Sequence, residues 1–301
     1  MQRTVVVAAA QLGPIGRTET RASVVSRLIA LLENSAARGA QLVVFPELAL
    51  TTFFPRWFMA EQAEIDRFFE TEMPGPDTLP LFERARALQV GFCLGYAEKV
   101  VEHGRTRRFN TSILVDAAGA IVHRYRKIHL PGHADDEPWR PFQHLEKRYF
   151  EPGQVPFSPV EAFTGQVALA ICNDRRWPEA YREAALRGAE MMLIGYNTPQ
   201  HYPLAPQHDH LQNFHNHLVM QAGAYQNGMW IVGVAKAGKE EGCDLIGQSC
   251  IIAPTGEIVA MASTLGDEFV LAQCDFERCA EIRRNIFNFA LHRRPDMYPS
   301  V

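Results

Sequence analysis

The sequence has no apolar stretch long enough to cross a bilayer, no run of like charge and no low-complexity segment. Its first apolar run, Val5 to Ala10, follows a single basic residue, Arg3, and reads as a strand and not as a signal peptide or membrane anchor. With 30 basic against 34 acidic residues and a net charge of -4, and with no basic stripe interleaved with aromatics, nucleic acid is excluded as an expected partner. Cysteine is sparse. The six, at 93, 172, 243, 250, 274 and 279, form no C-x-x-C pair and no small-domain framework, which points to free thiols in a reducing cytoplasm. Also missing are a G-x-G-x-x-G fingerprint, a P-loop, a G-x-S-x-G elbow and an H-E-x-x-H zinc spacing, so no nucleotide cofactor, serine nucleophile or metal is expected.

What is present is an alternation. Apolar, β-branched runs at 4–10, 42–45, 90–97, 167–171, 191–194 and 230–235 are separated by helix-like segments near 20–38, 61–70, 77–88, 177–188 and 209–227. This pattern predicts an α/β fold with helices covering a largely buried sheet. No Pro/Gly/Ser-rich linker divides the chain, so residues 1–301 read as one domain. S-I-L-V-D-A-A-G-A-I-V from Ser112 and S-C-I-I-A-P-T-G-E-I-V from Ser249 place a strand, a turn ending in Gly and a second strand in the same register. Both predict β-hairpins, and their similarity suggests two like halves, each with its own sheet.

Three reactive side chains follow such runs. Glu47 stands after L-V-V-F-P, Lys127 after the alternating I-V-H-R-Y-R, and Cys172 after V-A-L-A-I, with Pro178 where a helix would begin. Carried on strand ends, they can converge at one edge of a sheet. A thiol needs a base to take its proton, a role for a carboxylate whose pKa is raised in an apolar pocket, and a fixed cation stabilises the oxyanion that forms. Glu, Lys and Cys therefore suffice for acyl transfer without a metal. Taken singly, each admits a plainer reading: a helix-start carboxylate, a solvated strand-end charge, a buried structural thiol.

F-P-E-L, Y-R-K-I-H-L and I-C-N-D-R-R-W-P, in that order, resemble the three signature blocks of the nitrilase superfamily, hydrolases of non-peptide C–N bonds. The finer words T-T-F-F-P-R-W, Q-H-L-E-K-R-Y-F-E-P-G, G-Y-N-T-P and P-Q-H-D-H-L resemble its N-carbamoyl-D-amino-acid amidohydrolase branch. The resemblance implies a four-layer α-β-β-α sandwich, with Glu47 as base, Lys127 as oxyanion cation, Cys172 as nucleophile and Glu146 as a second carboxylate. It also implies hydrolysis of N-carbamoyl-D-amino acids, through a thioester, to the D-amino acid, ammonia and carbon dioxide. Asn173, Asn197 and Thr198 would supply neutral hydrogen bonds, and His129, His144 and His215 would orient the catalytic carboxylates.

The pair Arg175-Arg176 speaks to substrate class, since a guanidinium fork matches a carboxylate. The resemblance puts both near the substrate carboxylate, although at least one is expected to pair with Asp174 or Glu179 and only support the loop. The histidines of H-D-H (208–210) and H-N-H (215–217) suggest a metal cluster at first sight, but residues two apart on a helix point to different faces. The resemblance further implies a homodimer or homotetramer, with the segment from about 282 to 301 reaching a neighbouring subunit. The rival readings are a β-ureidopropionase, an aliphatic amidase, a nitrilase, a non-catalytic binding module that keeps the fold, and a metallohydrolase.

Overall fold

The computed structural model describes residues 3–298. It contains the strands β1 (Thr4–Gln11), β2 (Leu42–Val44), β3 (Gly91–Glu102), β4 (Arg105–Val115), β5 (Ile121–Arg126), β6 (Val160–Ala162) and β7 (Gly165–Ile171). These are followed by β8 (Met191–Tyr196), β9 (Trp230–Ala235), β10 (Ala237–Glu240), β11 (Cys243–Ile246), β12 (Cys250–Ile252), β13 (Ile258–Met261) and β14 (Glu268–Asp275). Two six-stranded sheets result, in the orders β14-β1-β2-β3-β4-β5 and β13-β12-β9-β8-β7-β6, with β10 and β11 as a separate ribbon. In each sheet a parallel trio, β1-β2-β3 or β7-β8-β9, carries an antiparallel pair on one side, β4-β5 or β12-β13. The hairpins expected from the two echoing sequences are these pairs, at corresponding positions in the two sheets.

The period of two along each strand sorts side chains between layers. Val5, Val7 and Ala9 of β1, Leu42 and Val44 of β2, Cys93 of β3 and Leu114 of β4 point into a core shared with the second sheet. Their neighbours Ala8, Ala10, Val43, Phe92, Leu94, Ile113 and Val115 point the other way, onto the helices Arg21–Ala37 and Leu79–Leu88 through Val24, Leu28, Leu32, Leu81 and Ala85. In the second sheet every residue from Val167 to Ile171 is buried, as expected of a strand covered on both faces. Its outer face is covered by Ala180, Tyr181 and Ala184 of helix Pro178–Leu186 and by Met220 and Ala224 of helix Gln212–Asn227. The four layers are helix, sheet, sheet, helix.

Some boundaries differ from those predicted. The segment near 61–70 is helical only over Gln62–Asp66, and β3 runs on to Glu102. Strand β14, not predicted, returns from the second half of the chain to pair antiparallel with β1 along its whole length. Near the C-terminus, Phe287 packs edge-on against Tyr225 at 5.0 Å and Phe289 lies under the Arg182 guanidinium at 4.2 Å. The last residues of the segment from about 282 to 301, those from 299 onward, lie outside the described residues.

Candidate active site

Glu47, Lys127 and Cys172 are brought together, but not at the edge of one sheet. Glu47 follows β2 and Lys127 follows β5 in the first sheet, whereas Cys172 follows β7 in the second. The three meet where the two sheets face each other. Close approach there depends on two glycines. A Cβ on Gly95 of β3 would lie 2.7 Å from Glu47 Cα, and one on Gly195 of β8 would lie 2.5 Å from Glu47 N. The Pro46-Glu47 backbone is thus clamped between one strand of each sheet.

The environment of Glu47 is not the apolar pocket expected for a raised carboxyl. Its Oε1 accepts from Asn110 Nδ2 at 2.7 Å and Lys127 Nζ at 2.8 Å, and its Oε2 accepts from the Asn197 main-chain N–H at 3.0 Å. Asn197 Nδ2 also donates to the Glu47 carbonyl at 2.7 Å, which fixes the backbone that carries the base. Asn110, which is fully buried on β4, was not anticipated. Its place opposite Ala97 within the ladder is readable only from the strand register.

Lys127 Nζ donates a second hydrogen bond to Glu146 Oε2 at 2.6 Å. Glu146 therefore pairs with Lys127, and with His144 Nε2 at 3.0 Å, instead of with its neighbours Lys147 or Arg148. Burial alone would lower the Lys127 pKa, but the Cys172 sulfur when it ionises, and the Glu146 and Glu47 carboxylates, outweigh it and hold the ammonium protonated. Glu146 is likewise held below the usual carboxylate range: burial opposes this, and Lys127 and His144 overcome it. An ammonium has a further N–H beyond the two used by the carboxylates, and that donor remains for an oxyanion. Burial, reinforced by Glu47, pushes the Cys172 thiol up, against the opposing pull of Lys127 and Arg175. The resting group is a thiol, so nucleophilic attack requires proton transfer to a base as it proceeds.

Cys172 opens a 3-10 turn, Cys172–Arg176, in a left-handed conformation with φ +47. A non-glycine residue in that region is strained and persists only where its surroundings hold it. Asp174 reaches back to accept from Ile171 N at 2.9 Å, as well as from Tyr125 OH at 2.8 Å and from His129 N and Nδ1 at 3.1 and 2.7 Å. Arg175 completes the hold. It donates to the Cys172 carbonyl at 2.6 Å, to Thr198 Oγ1 at 2.7 Å and to Asn216 Oδ1 at 2.8 Å, and stacks 4.3 Å above the Tyr196 ring. Pro178, at the first helical position, starts the helix that follows.

Several expectations need correction. Arg175 pairs with neither Asp174 nor Glu179: it is fully buried, its donors are engaged within the protein, and it does not line the pocket. It supports the turn that carries Cys172, and its engaged donors are not free to bind a carboxylate. His129 bonds Asp174, a carboxylate of the turn, and lies between Phe157 and Trp177. His215 is exposed, against the rings of His208 and Phe214. Of the three histidines, His144 is the one that hydrogen-bonds Glu146, and no bond from His129 or His215 to Glu47 or Glu146 is present among the described residues.

The pocket above Cys172 has a volume of about 240 Å³ and is walled by Asn173, Arg176, Asn197, Thr198, Tyr202 and His144, with Arg140 also in its lining. Asn173 Nδ2 is engaged by the His129 carbonyl at 3.2 Å. Asn197 Oδ1 is buried without a partner. Arg176 is exposed to the pocket and has no hydrogen-bond or ion-pair partner among the described residues, whereas Arg140 pairs with Glu137. Among the described residues no Asp or Glu lines this pocket.

The carbon-nitrogen hydrolase profile matches residues 6–284. The chain belongs to the carbon-nitrogen hydrolase family. Among curated relatives, this hydrolase is 29% identical to the N-carbamoylputrescine amidase of Solanum lycopersicum, over 98% of this chain and 94% of the relative. It is 26% identical to the citrullinase of Francisella tularensis, over 94% of each chain. The crystal structure of a carbon-nitrogen hydrolase from Helicobacter pylori G27 superimposes with a TM-score of 0.83 at 25% identity, covering 98% of this chain and 97% of that one. Membership in this nitrilase-superfamily group makes the chain a hydrolase of carbon–nitrogen bonds, and its architecture of sheets flanked by helices is that of its structural neighbours.

Proposed function

We propose that the hydrolase removes the carbamoyl group of N-carbamoyl-D-amino acids. The observation that carries this reading is the unpartnered Arg176 in a pocket without acidic residues, next to Cys172. The curated relatives named above act on N-carbamoylputrescine and on citrulline, molecules that share a terminal ureido group but differ at the far end. An aliphatic ammonium such as that of carbamoylputrescine calls for a facing carboxylate, whereas an α-carboxylate calls for a cation. This pocket presents the cation. The D configuration rests on the branch-like words around Thr51, Glu146, Asn197 and His208.

In this reading Asn197 Oδ1, otherwise unpaired, accepts a ureido N–H, and Arg176 holds the α-carboxylate. Glu47 takes the thiol proton as Cys172 Sγ bonds to the ureido carbon, and the carbonyl oxygen becomes an oxyanion at the free N–H of Lys127. Collapse expels one nitrogen, protonated from the carboxylate that received the thiol's proton. Water, deprotonated by a glutamate, then cleaves the thioester and returns the thiol. Glu146, anchored by Lys127 and His144, keeps the ammonium placed between the two carboxylates.

The test is turnover of N-carbamoyl-D-phenylalanine, its L-enantiomer and N-carbamoylputrescine, followed by release of the free amine, with Cys172→Ala as control. Turnover confined to the D compound, and lost in the control, is expected. Arg176→Lys keeps the charge but loses the fork, and raises KM by roughly tenfold to a hundredfold. Comparable kcat/KM on carbamoylputrescine, or an unchanged KM in the Arg176 variant, would overturn the assignment.

A further inference from the structure

Beside the catalytic pocket lies a second cavity of about 280 Å³ that shares Arg140, His144, Pro199 and Tyr202 with it. Its inner wall is formed by Phe53, Phe142, Cys243 and Arg56. Arg56 is buried, with a side chain only 3% exposed. One side of its guanidinium is satisfied: Nη1 donates to Glu240 Oε1 at 2.8 Å, and the Phe53 ring lies 5.0 Å away. Glu240 is shared with Lys236 Nζ at 3.1 Å and with the main-chain N–H groups of Phe53 and Ile15 at 2.8 and 3.1 Å. Arg56 Nη2, by contrast, is buried with no hydrogen-bond partner.

A buried guanidinium nitrogen without an acceptor is costly, and native structures rarely leave one unexplained. The Cys243 sulfur interacts with Arg56: burial pushes the thiol up and the Arg56 guanidinium pulls it the other way, but a thiol is only a weak acceptor and does not satisfy a guanidinium nitrogen. Of the two acidic residues on the same cavity, Asp209 accepts from His201 Nδ1 and Tyr202 N at 2.7 and 2.8 Å, and Asp244 is an exposed side chain with Lys239 3.9 Å away. The cavity adjoins the reaction pocket, and its wall combines the rings of Phe53, Phe142 and Tyr202 with polar side chains, among them Arg56, whose Nη2 has no acceptor among the described residues.

We infer that this chamber receives the substrate's side chain and that Arg56 Nη2 selects side chains ending in an acceptor oxygen, a carboxylate above all. The inference rests on the N-carbamoyl amino acid reading and extends it from the reacting group to the side chain. Side chains that enter the chamber but end in methyl groups leave the Arg56 donor unpaired and are disfavoured, because a site built around a polar group penalises the analogue that lacks its mate.

The experiment compares kcat/KM for the N-carbamoyl derivatives of D-aspartate, D-glutamate and D-2-aminoadipate, each against its apolar isostere ending in an isopropyl group, with N-carbamoyl-D-alanine as reference. Ratios are read, so that any loss common to all substrates cancels. The wild type is expected to favour the best acidic derivative over its isostere by about tenfold or more, as for a charge-assisted hydrogen bond. Arg56→Lys, which keeps the cation for Glu240 but removes the second guanidinium nitrogen, is expected to bring that ratio close to one. Phe142→Trp narrows the chamber from a half-buried wall position and tests the site without touching the ion cluster. It should lower every long derivative relative to the alanine derivative. A wild-type ratio at or below one, a ratio unmoved by Arg56→Lys, or unmoved relative rates in Phe142→Trp would overturn the inference while turnover of the alanine derivative upheld the reaction. Failure of the alanine derivative as well would overturn both.

Discussion

The clamp on the base can be tested with one added carbon. In Gly195→Ala the new Cβ would stand 2.5 Å from Glu47 N, 2.7 Å from Pro46 C and 3.2 Å from Phe45 O, all backbone atoms that cannot rotate away. Ordinary contact begins at 3.4 Å, so the Glu47 segment or β8 must move by at least about 0.9 Å, the difference between 3.4 and 2.5. The Glu47 carboxylate cannot follow such a shift and keep its bonds to Asn110, Lys127 and Asn197 N, all of them between 2.7 and 3.0 Å. Misplacing a catalytic group by about 1 Å costs on the order of a hundredfold in rate. Overpacking of this kind also removes about 1–3 kcal/mol of stability. The expected outcome is a kcat for amide hydrolysis reduced about a hundredfold, with a lower urea midpoint and a retained circular dichroism spectrum. Wild-type kcat in a folded Gly195→Ala protein would refute the clamp.

Two further outcomes follow from the same geometry. Arg175→Met leaves the Cys172 carbonyl, Thr198 Oγ1 and Asn216 Oδ1 without their donor, so urea unfolding should show a loss of about 3 kcal/mol or more. Its kinetic defect should fall on kcat more than on KM, and stability within about 0.5 kcal/mol of wild type would contradict the supporting role. Glu240 provides an acid dependence: burial would raise its pKa, but Lys236 and Arg56 hold it at about 2, below the ordinary 4.5. Because the folded value is the lower one, the stabilisation is complete above 4.5 and is lost as pH falls toward 2; it amounts to about 3 kcal/mol. Glu240→Gln should be less stable at pH 7 and lose less between pH 5 and pH 3 in chemical denaturation, and equal losses in the two proteins would argue against it.

Much of the fold was legible because a strand buried on both faces and a strand with one side chain per layer leave different traces. Val167 to Ile171 is uninterrupted, and the Ser112 and Ser249 segments carry turn signals at matching places. Strand β14 was not legible, since its partner β1 lies at the other end of the chain and no local pattern records the pairing. In the site, Glu47, Lys127 and Cys172 share strand-end contexts, but each alone admitted a plainer reading, and it was the resemblance to three ordered signature blocks that marked them as a set. Arg175 and Arg176 looked equivalent, yet one faces inward to Asn216 and Thr198 and the other faces the pocket, a difference set by the 3-10 turn and not by residue type. His129 and His215 were misassigned for the same reason: their partners depend on which loop lies across from them.

The sequence by itself determined the alternation of strands and helices and the two echoing hairpins, because periodicity and turn chemistry are local properties, while the four layers and the candidate reactive groups were legible through the resemblance of its motifs to a known family. Only the tertiary structure decided that Cys172 comes from one sheet and Glu47 and Lys127 from the other, that Gly95 and Gly195 let the Glu47 backbone pass between two strands, and that Arg56 lies in the wall of a second cavity. Those facts depend on contacts between residues far apart in the chain, where burial and hydrogen-bond satisfaction, not neighbouring sequence, determine what each side chain meets.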